Sequence, residues 1–193
     1  MIEKKPLPIS SITVTHNSEA IVPLFCKGMD DIDIAQKIIV DAGSNDHTVE
    51  HLTSHDFEII KTNNCGFGRA NNLGAKIANT EYLLFINPDV YIEHEELLSL
   101  FNFAMTLPND FIVSCKMATD LEKLELTRES RFTGNFNLAS KVSGALLLMK
   151  TSTFKALGGF DDNLFLYFDE GINPETVPVS SLSIVKLCIN NDS

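Results

Sequence analysis

Short apolar runs alternate with longer amphipathic segments along the chain. SITVT at 11–15 predicts a strand, and the 3.6-residue spacing of apolar positions over 21–29 predicts a helix. KIIVD at 37–41 predicts a second strand, closed by the turn signal AGSND at 42–46. A helix over 48–54 and a third strand over 57–61 follow, then a helix over 66–79 with Ala70, Leu73, Ile77 and Ala78 on its inner face. YLLFI at 82–86 predicts a fully buried fourth strand that ends at NPD, 87–89. Beyond it come a helix from about residue 93 to 105 and a strand over 111–117. Residues 121–139 lose all period and predict a surface excursion; VSGALLLMK at 142–150 restores a strand, with Gly144 where backbone or ligand approaches closely. Thr151 is placed to cap a short helix over 153–157, ended by Gly158 and Gly159.

Strands alternating with helices imply βαβ units and an α/β fold: a Rossmann-like, mostly parallel sheet flanked by helices. In such sheets the ligand crevice lies beyond the carboxyl ends of the strands. Four polar sets fall there: 15–17, 41–44, 63–66 and 87–89.

Each set has a chemical and a structural explanation. Asp89 is a hard oxygen ligand suited to Mg²⁺ or Mn²⁺ bridging a diphosphate, and Asn87-Pro88-Asp89 is also good turn chemistry in its own right. Asp41 at a strand end can accept from a nucleobase N–H or ribose hydroxyls, while Gly43 lets the chain turn and Asp46 or Thr48 caps the next helix. Arg69 is the cation to set against a diphosphate or base; Asn71 and Asn72 serve either a ligand or the helix surface, and GxGxxG is absent. Asp169 and Glu170 are adjacent, so on a strand at most one faces the cleft. A carboxylate there can act as general base toward an acceptor hydroxyl, a contribution of ~10²–10⁴-fold. His47, His51 and His55 recur every four residues, a solvated helix stripe with no acid to complete a metal site.

In 193 residues, 15 Lys and Arg face 26 Asp and Glu, giving a net charge of −11. That balance argues against holding nucleic acid by phosphate neutralisation, yet one local cation or metal can invert the field of a cleft. The hydrophobic fraction of 44% excludes a disordered chain, and a chain of this length buries roughly 70% of its unfolded surface. The four cysteines form no CxxC pair and are expected to be reduced and mostly buried. No apolar run approaches the ~18 residues of a membrane span, and no signal-peptide stretch opens the sequence, which points to a cytoplasmic domain.

Taken in order, the motifs at 13–17, 40–48, 64–74, 82–90, 142–150 and 158–170 resemble the bacterial family-2 glycosyltransferases, especially the rhamnosyltransferase-like branch. The resemblance covers roughly residues 8–170 and rests on the ordered set. It implies the A-type glycosyltransferase fold and an inverting, metal-assisted sugar transfer. The donor would be a nucleoside-diphosphate sugar and the acceptor a saccharide or lipid-linked hydroxyl, in cell-envelope polysaccharide or glycoconjugate synthesis. The donor-binding set would be Thr15, His16, Asn17, Asp41, Gly43, Arg69, Asn72 and Asn87; Asp89 would hold the Mg²⁺ or Mn²⁺; Asp169 or Glu170 would be the base. The implied protein is cytoplasmic or peripheral at the inner membrane face, with a homodimer open.

Three departures stand out. Ala42 occupies a position usually Asn or Asp, and His16 one usually Tyr, exchanging a phenol for a titratable ring. After Glu170 the family's acidic-apolar stretch and helix are replaced by GINPETVPVSS, whose Gly171, Pro174 and Pro178 oppose a helix. The expected division is a catalytic domain over 1–170, incomplete at its acceptor side through truncation or a frame change, and a divergent tail over 171–193. A non-catalytic remnant is the alternative; a nucleotidyltransferase would want a glycine-rich loop with a lysine near the first strand.

Overall fold

The computed structural model describes residues 5–107, 111–115, 136–138, 144–162 and 183–187, with backbone alone for Cys115, 136–138 and 183–187. The strands are β1 (Leu7–Thr15), β2 (Ile34–Asp41), β3 (Glu58–Lys61), β4 (Tyr82–Ile86), β5 (Phe111–Cys115), β6 (Phe136–Leu138), β7 (Leu146–Lys150) and β8 (Ser183–Leu187). The helices are α1 (Val22–Asp30), α2 (Thr48–Leu52), α3 (Phe67–Ile77), α4 (His94–Ala104) and α5 (Thr151–Ala156).

The strands form one eight-stranded sheet in the order β3-β2-β1-β4-β7-β5-β8-β6. Pairing is parallel through β3, β2, β1 and β4. β7 runs antiparallel to both β4 and β5, β8 runs parallel to β5, and β6 antiparallel to β8. Six strands therefore share one direction, the mostly parallel α/β sheet that the alternating pattern implies. The segment beyond residue 171, expected to be a tail, supplies β8 to this sheet.

β4 is apolar at every position because both its faces are covered. Tyr82, Leu84 and Ile86 face a core shared with Phe25, Met29, Leu97 and Leu100 of α1 and α4. Leu83 and Phe85 face the other core, with Ala70 and Ala75 of α3 and Phe154 of α5. β3, at the sheet edge, is only half-buried.

The inner face of α3 differs from the sequence expectation. Ala70, Asn71, Gly74 and Ala75 are buried, whereas Leu73, Ile77 and Ala78 are only partly so. A Cβ at Gly74 would come within 2.5 Å of Ile12 Cγ2, so close approach to β1 selects small residues over a leucine. Thr151, expected as a cap, is the first residue of α5; its hydroxyl donates to Thr80 O at 2.8 Å and pins the helix to the chain entering β4.

The sheet's N-terminal edge is closed by hydrogen bonds. Gln36 accepts from Ser10 Oγ at 2.7 Å and from Asn79 N at 3.1 Å, and donates to Glu58 Oε2 at 2.7 Å. The polar groups left for a ligand lie at the opposite edge.

Candidate functional site

Because β1, β2, β3 and β4 are parallel neighbours, their carboxyl ends open on a single rim. Thr15 is in register with Asp41, and Asp41 with Lys61. The ladder continues past the strands: Ala42 N donates to Thr15 O at 2.8 Å and Thr62 N to Asp41 O at 2.9 Å. Loops that are far apart in sequence are thus locked side by side.

Asp41 is the anchor of this rim. Its side chain accepts from Thr15 Oγ1 at 3.2 Å, Ser44 N at 3.1 Å and Ser44 Oγ at 2.5 Å, and both Thr15 and Asp41 are buried. The carboxylate therefore folds the 42–44 turn back on itself. Gly43 makes that turn at φ 75, with its α-carbon side facing Thr62 O and Asn64 N, a backbone position that an L side chain adopts only with strain.

His16 is exposed, and its Nδ1 donates to Ala42 O at 2.8 Å. That bond fixes the tautomer and leaves Nε2 as acceptor, 3.4 Å from the Asn17 amide. Asn17 adopts φ 48. Its backbone N–H donates to Ser44 Oγ at 2.9 Å and its Oδ1 accepts from Asn45 N at 2.8 Å. His16 and Asn17 stitch the first loop to the second; Asn is among the few residues that enter this conformation readily.

Asp46 Oδ1 accepts from Thr48 N at 3.0 Å and Oδ2 from Glu19 N at 3.1 Å. These bonds, with Thr48's hydroxyl foremost, hold its carboxyl below the usual 3.8. His47 is drawn above 6.5, first by its bond to Glu50 and then by the charge of Glu19. The N-cap of α2 is His47, whose side chain makes no capping bond, so neither Asp46 nor Thr48 is the cap; Asp46, one residue earlier, takes up the Thr48 N–H instead. The helix covers only Thr48–Leu52, so no three-histidine stripe forms on it; His55 pairs with Asp30 at 2.8 Å instead.

Arg69 lies exposed in the first turn of α3 and spends one Nη2 hydrogen on Asp162 O at 3.3 Å, leaving most of its five donors for a ligand. Asn72, one turn further on, is committed to the chain. Its Nδ2 donates to Phe160 O and to Asp162 Oδ1, both at 2.8 Å, and its Oδ1 accepts from Phe160 N at 2.9 Å. Nothing local in the sequence joins Asn72 to residues 160–162, so sequence reasoning misses these contacts.

At the end of β4, Asn87 N donates to Ala145 O at 2.9 Å and Asn87 O accepts from Val90 N at 3.1 Å. Residues 87–90 form a β-turn with Pro88 at its second position, which suits the fixed φ of proline. Asp89 sits exposed at the tip and makes no hydrogen bond or ion pair among the described residues. No group of three His, Cys, Asp or Glu that could cage a metal occurs among the described residues. The donor set suits a hard cation shared with a ligand's phosphates, since Mg²⁺-type sites commonly use one or two protein carboxylates. Asp169 and Glu170 lie outside the described residues, as do Val142 and Ser143.

Among the described residues no helix is long and apolar enough to cross a membrane. Cys26 is a buried free thiol, pushed up to about 11 chiefly by burial, and Cys65 is free and half-buried.

Comparison with known proteins identifies the fold and the family. Rhamnosyltransferase WbbL of Escherichia coli (strain K12) is 22% identical over 195 aligned positions, covering 82% of this chain and 72% of WbbL. The 1–349 fragment of S. aureus TarS superposes with a TM-score of 0.69 at 19% identity, over 93% of this chain and 60% of that one. The mannosyltransferase PcManGT from Pyrobaculum calidifontis, in complex with GDP-Man and Mn²⁺, gives 0.64 at 16% identity, over 94% and 59%. The chain thus spans about 60% of the length of these solved structures. They share its A-type glycosyltransferase fold. The model of the family "Glycosyl transferase family 2" matches residues 10–167. The chain belongs to glycosyl transferase family 2.

Proposed function

We propose that this domain transfers a sugar from a nucleoside-diphosphate sugar to an acceptor hydroxyl, with inversion at the anomeric carbon. The observation that carries the proposal is the rim itself. Parallel pairing brings the 15–17, 41–44 and 62–64 loops together beside a turn that presents Asp89. TarS in complex with UDP and UDP-GlcNAc, and PcManGT with GDP-Man and Mn²⁺, support the donor class and a divalent cation.

In this proposal Thr15, His16, Asn17 and Asp41, with the Gly43 turn, shape the wall that receives the nucleoside. Asn87 lines the end of β4, Arg69 faces the diphosphate, and Asp89 holds Mg²⁺ or Mn²⁺. A bound cation supplies charge neutralisation to the departing diphosphate. Arg69 stabilises the same developing charge from the protein side. Asp169 or Glu170 removes the acceptor's hydroxyl proton as its oxygen attacks the anomeric carbon. The bond from that carbon to the diphosphate oxygen breaks, and the nucleoside diphosphate leaves with the electron pair. In this scheme residues 1–170 carry the transferase residues, with β8 of the following segment completing their sheet, and act on a saccharide or lipid-linked acceptor in cell-envelope polysaccharide synthesis.

Calorimetric titration of UDP, GDP and dTDP with and without Mn²⁺ tests the proposal. One of the three should bind more tightly with metal, and Asp89→Ala should erase the metal-dependent gain of about tenfold or more that such a shared site provides. No binding by any of the three would sink the donor assignment. Equal Mn²⁺-dependent binding by Asp89→Ala would sink the metal assignment alone.

A further inference from the structure

The side chain of Asn72 behaves as a strand partner for one residue. Its amide accepts from Phe160 N at 2.9 Å and donates to Phe160 O at 2.8 Å, pairing with both polar groups of a single peptide residue across 88 positions of sequence. Its second N–H is taken by Asp162 Oδ1 at 2.8 Å. No hydrogen remains on Nδ2 for a ligand.

The surroundings are shaped for this contact. Gly159 adopts φ 80, and a Cβ there would lie 2.7 Å from Asn72 Oδ1, so both conformation and space demand glycine. Phe160 is held from behind by Phe67 of α3, Phe85 of β4 and Phe154 of α5, with ring centroids at 6.2, 4.9 and 5.5 Å. Arg69, three residues before Asn72 on the same helix, donates to Asp162 O at 3.3 Å. The chain leaving α5 is thus fixed to α3 at Phe160 and Asp162, which precede Asp169 and Glu170 in the sequence.

We propose that Asn72 is a positioning residue: with Gly159 and Asp162 it latches the chain leaving α5 onto α3, and so fixes the point from which the chain carrying Asp169 and Glu170 departs. Asn72 is then no donor ligand. The effect on turnover rests on the transferase proposal above; the latch itself does not.

Two measurements separate them. Amide exchange of Phe160, followed by NMR, reports the latch directly: Asn72→Ala should speed it by about tenfold or more while the β4 amides keep their protection, as expected for local opening. Unchanged exchange overturns the latch whether or not the protein binds any nucleotide. The second measurement is the release of nucleoside diphosphate from UDP-, GDP- and dTDP-sugars. Asn72→Ala should leave donor KM and calorimetric affinity for UDP, GDP or dTDP within about twofold. It should lower kcat by roughly tenfold or more, as misplacement of a remote positioning group does. Asn72→Asp sets a carboxylate against Asp162 and Phe160 O and should be worse than Asn72→Ala. Adding Asp162→Asn restores a donor between the two side chains and should recover part of kcat. A loss of nucleotide affinity as large as the loss of kcat would make Asn72 a donor ligand and overturn the proposal, as would an unchanged kcat.

Discussion

Asp41 sits where a parallel sheet offers its ligand crevice, yet its carboxylate is turned inward. It is 3% exposed and is occupied by the Thr15 hydroxyl and by both donors of Ser44. In the proposed function its contribution to a nucleoside site would therefore be made through the shape of the 42–44 turn as much as through any oxygen offered to the ligand. Asp41→Ala would leave the Thr15 hydroxyl and the Ser44 N–H without their acceptor, and a buried polar group so stranded costs about 1–3 kcal/mol. We expect a stability loss of about 2–3 kcal/mol, seen as a fall of roughly 4–12 °C in Tm. Asp41→Asn, which keeps one carbonyl oxygen, should lose less. Equal Tm for wild type and Asp41→Ala would mean that the turn does not depend on this carboxylate.

α2 is five residues long and is too short to be stable on its own propensity. It exists because the loop after β1 clasps it. Ser18 N donates to Thr48 Oγ1 at 2.7 Å, His47 N to Glu19 Oε2 at 3.2 Å, and Glu19 N to Asp46 Oδ2 at 3.1 Å. Asp46 is held below 3.8 and His47 above 6.5 in the folded state. A depressed carboxyl stabilises the fold above its unfolded value, and that support is lost as pH falls through the folded value. A raised imidazole stabilises below 6.5, and its support is lost as pH rises through the folded value. The clasp should be tightest between these limits. NMR titration should show a His47 midpoint above 6.5, returning toward 6.5 in Glu50→Gln, and should show Glu19 and Thr48 amide shifts with a midpoint below 3.8. A His47 midpoint at or below 6.5, or immobile amides, would show that the clasp is not electrostatic.

At this scale the sequence is readable wherever one periodicity decides an element. YLLFI could only be a strand covered on both faces, and the four rim sets converge because parallel order puts successive carboxyl ends on one edge. It is least readable where packing selects small size. Gly74 and Ala70 mark the sheet-facing side of α3, and a search for large apolar residues passes over them. The Asn72–Phe160 pairing has no local signature at all, since the two residues lie 88 positions apart and are brought together by the packing of α5 on β4.

The whole molecule carries −11 of formal charge, and the rim shares in it. Glu19, Asp89 and Asp162 are exposed there and Asp46 is half-buried, against Arg69 as the cation on α3's first turn. Among the described residues, a nucleoside diphosphate entering without metal would meet a field of its own sign, moderated by Arg69 and by Lys61 at the end of β3. Salt screens such fields over about 8–10 Å at physiological ionic strength. Repulsion summed over the acidic rim should therefore be relieved more by salt than the attraction of Arg69 and Lys61 is weakened. In the proposed scheme, Mn²⁺ at Asp89 would invert the local sign, so that attraction would outweigh repulsion and salt would diminish it. Calorimetry of UDP, GDP and dTDP between about 0.02 and 0.3 M salt should then show opposite trends. Affinity should rise with salt in the absence of metal and fall with salt in the presence of Mn²⁺. Asp89→Ala should follow the metal-free trend under both conditions. If metal-free affinity instead falls steadily with salt, Arg69 and Lys61 outweigh the acidic rim. The divalent cation would then be helping the departing diphosphate more than the arriving donor.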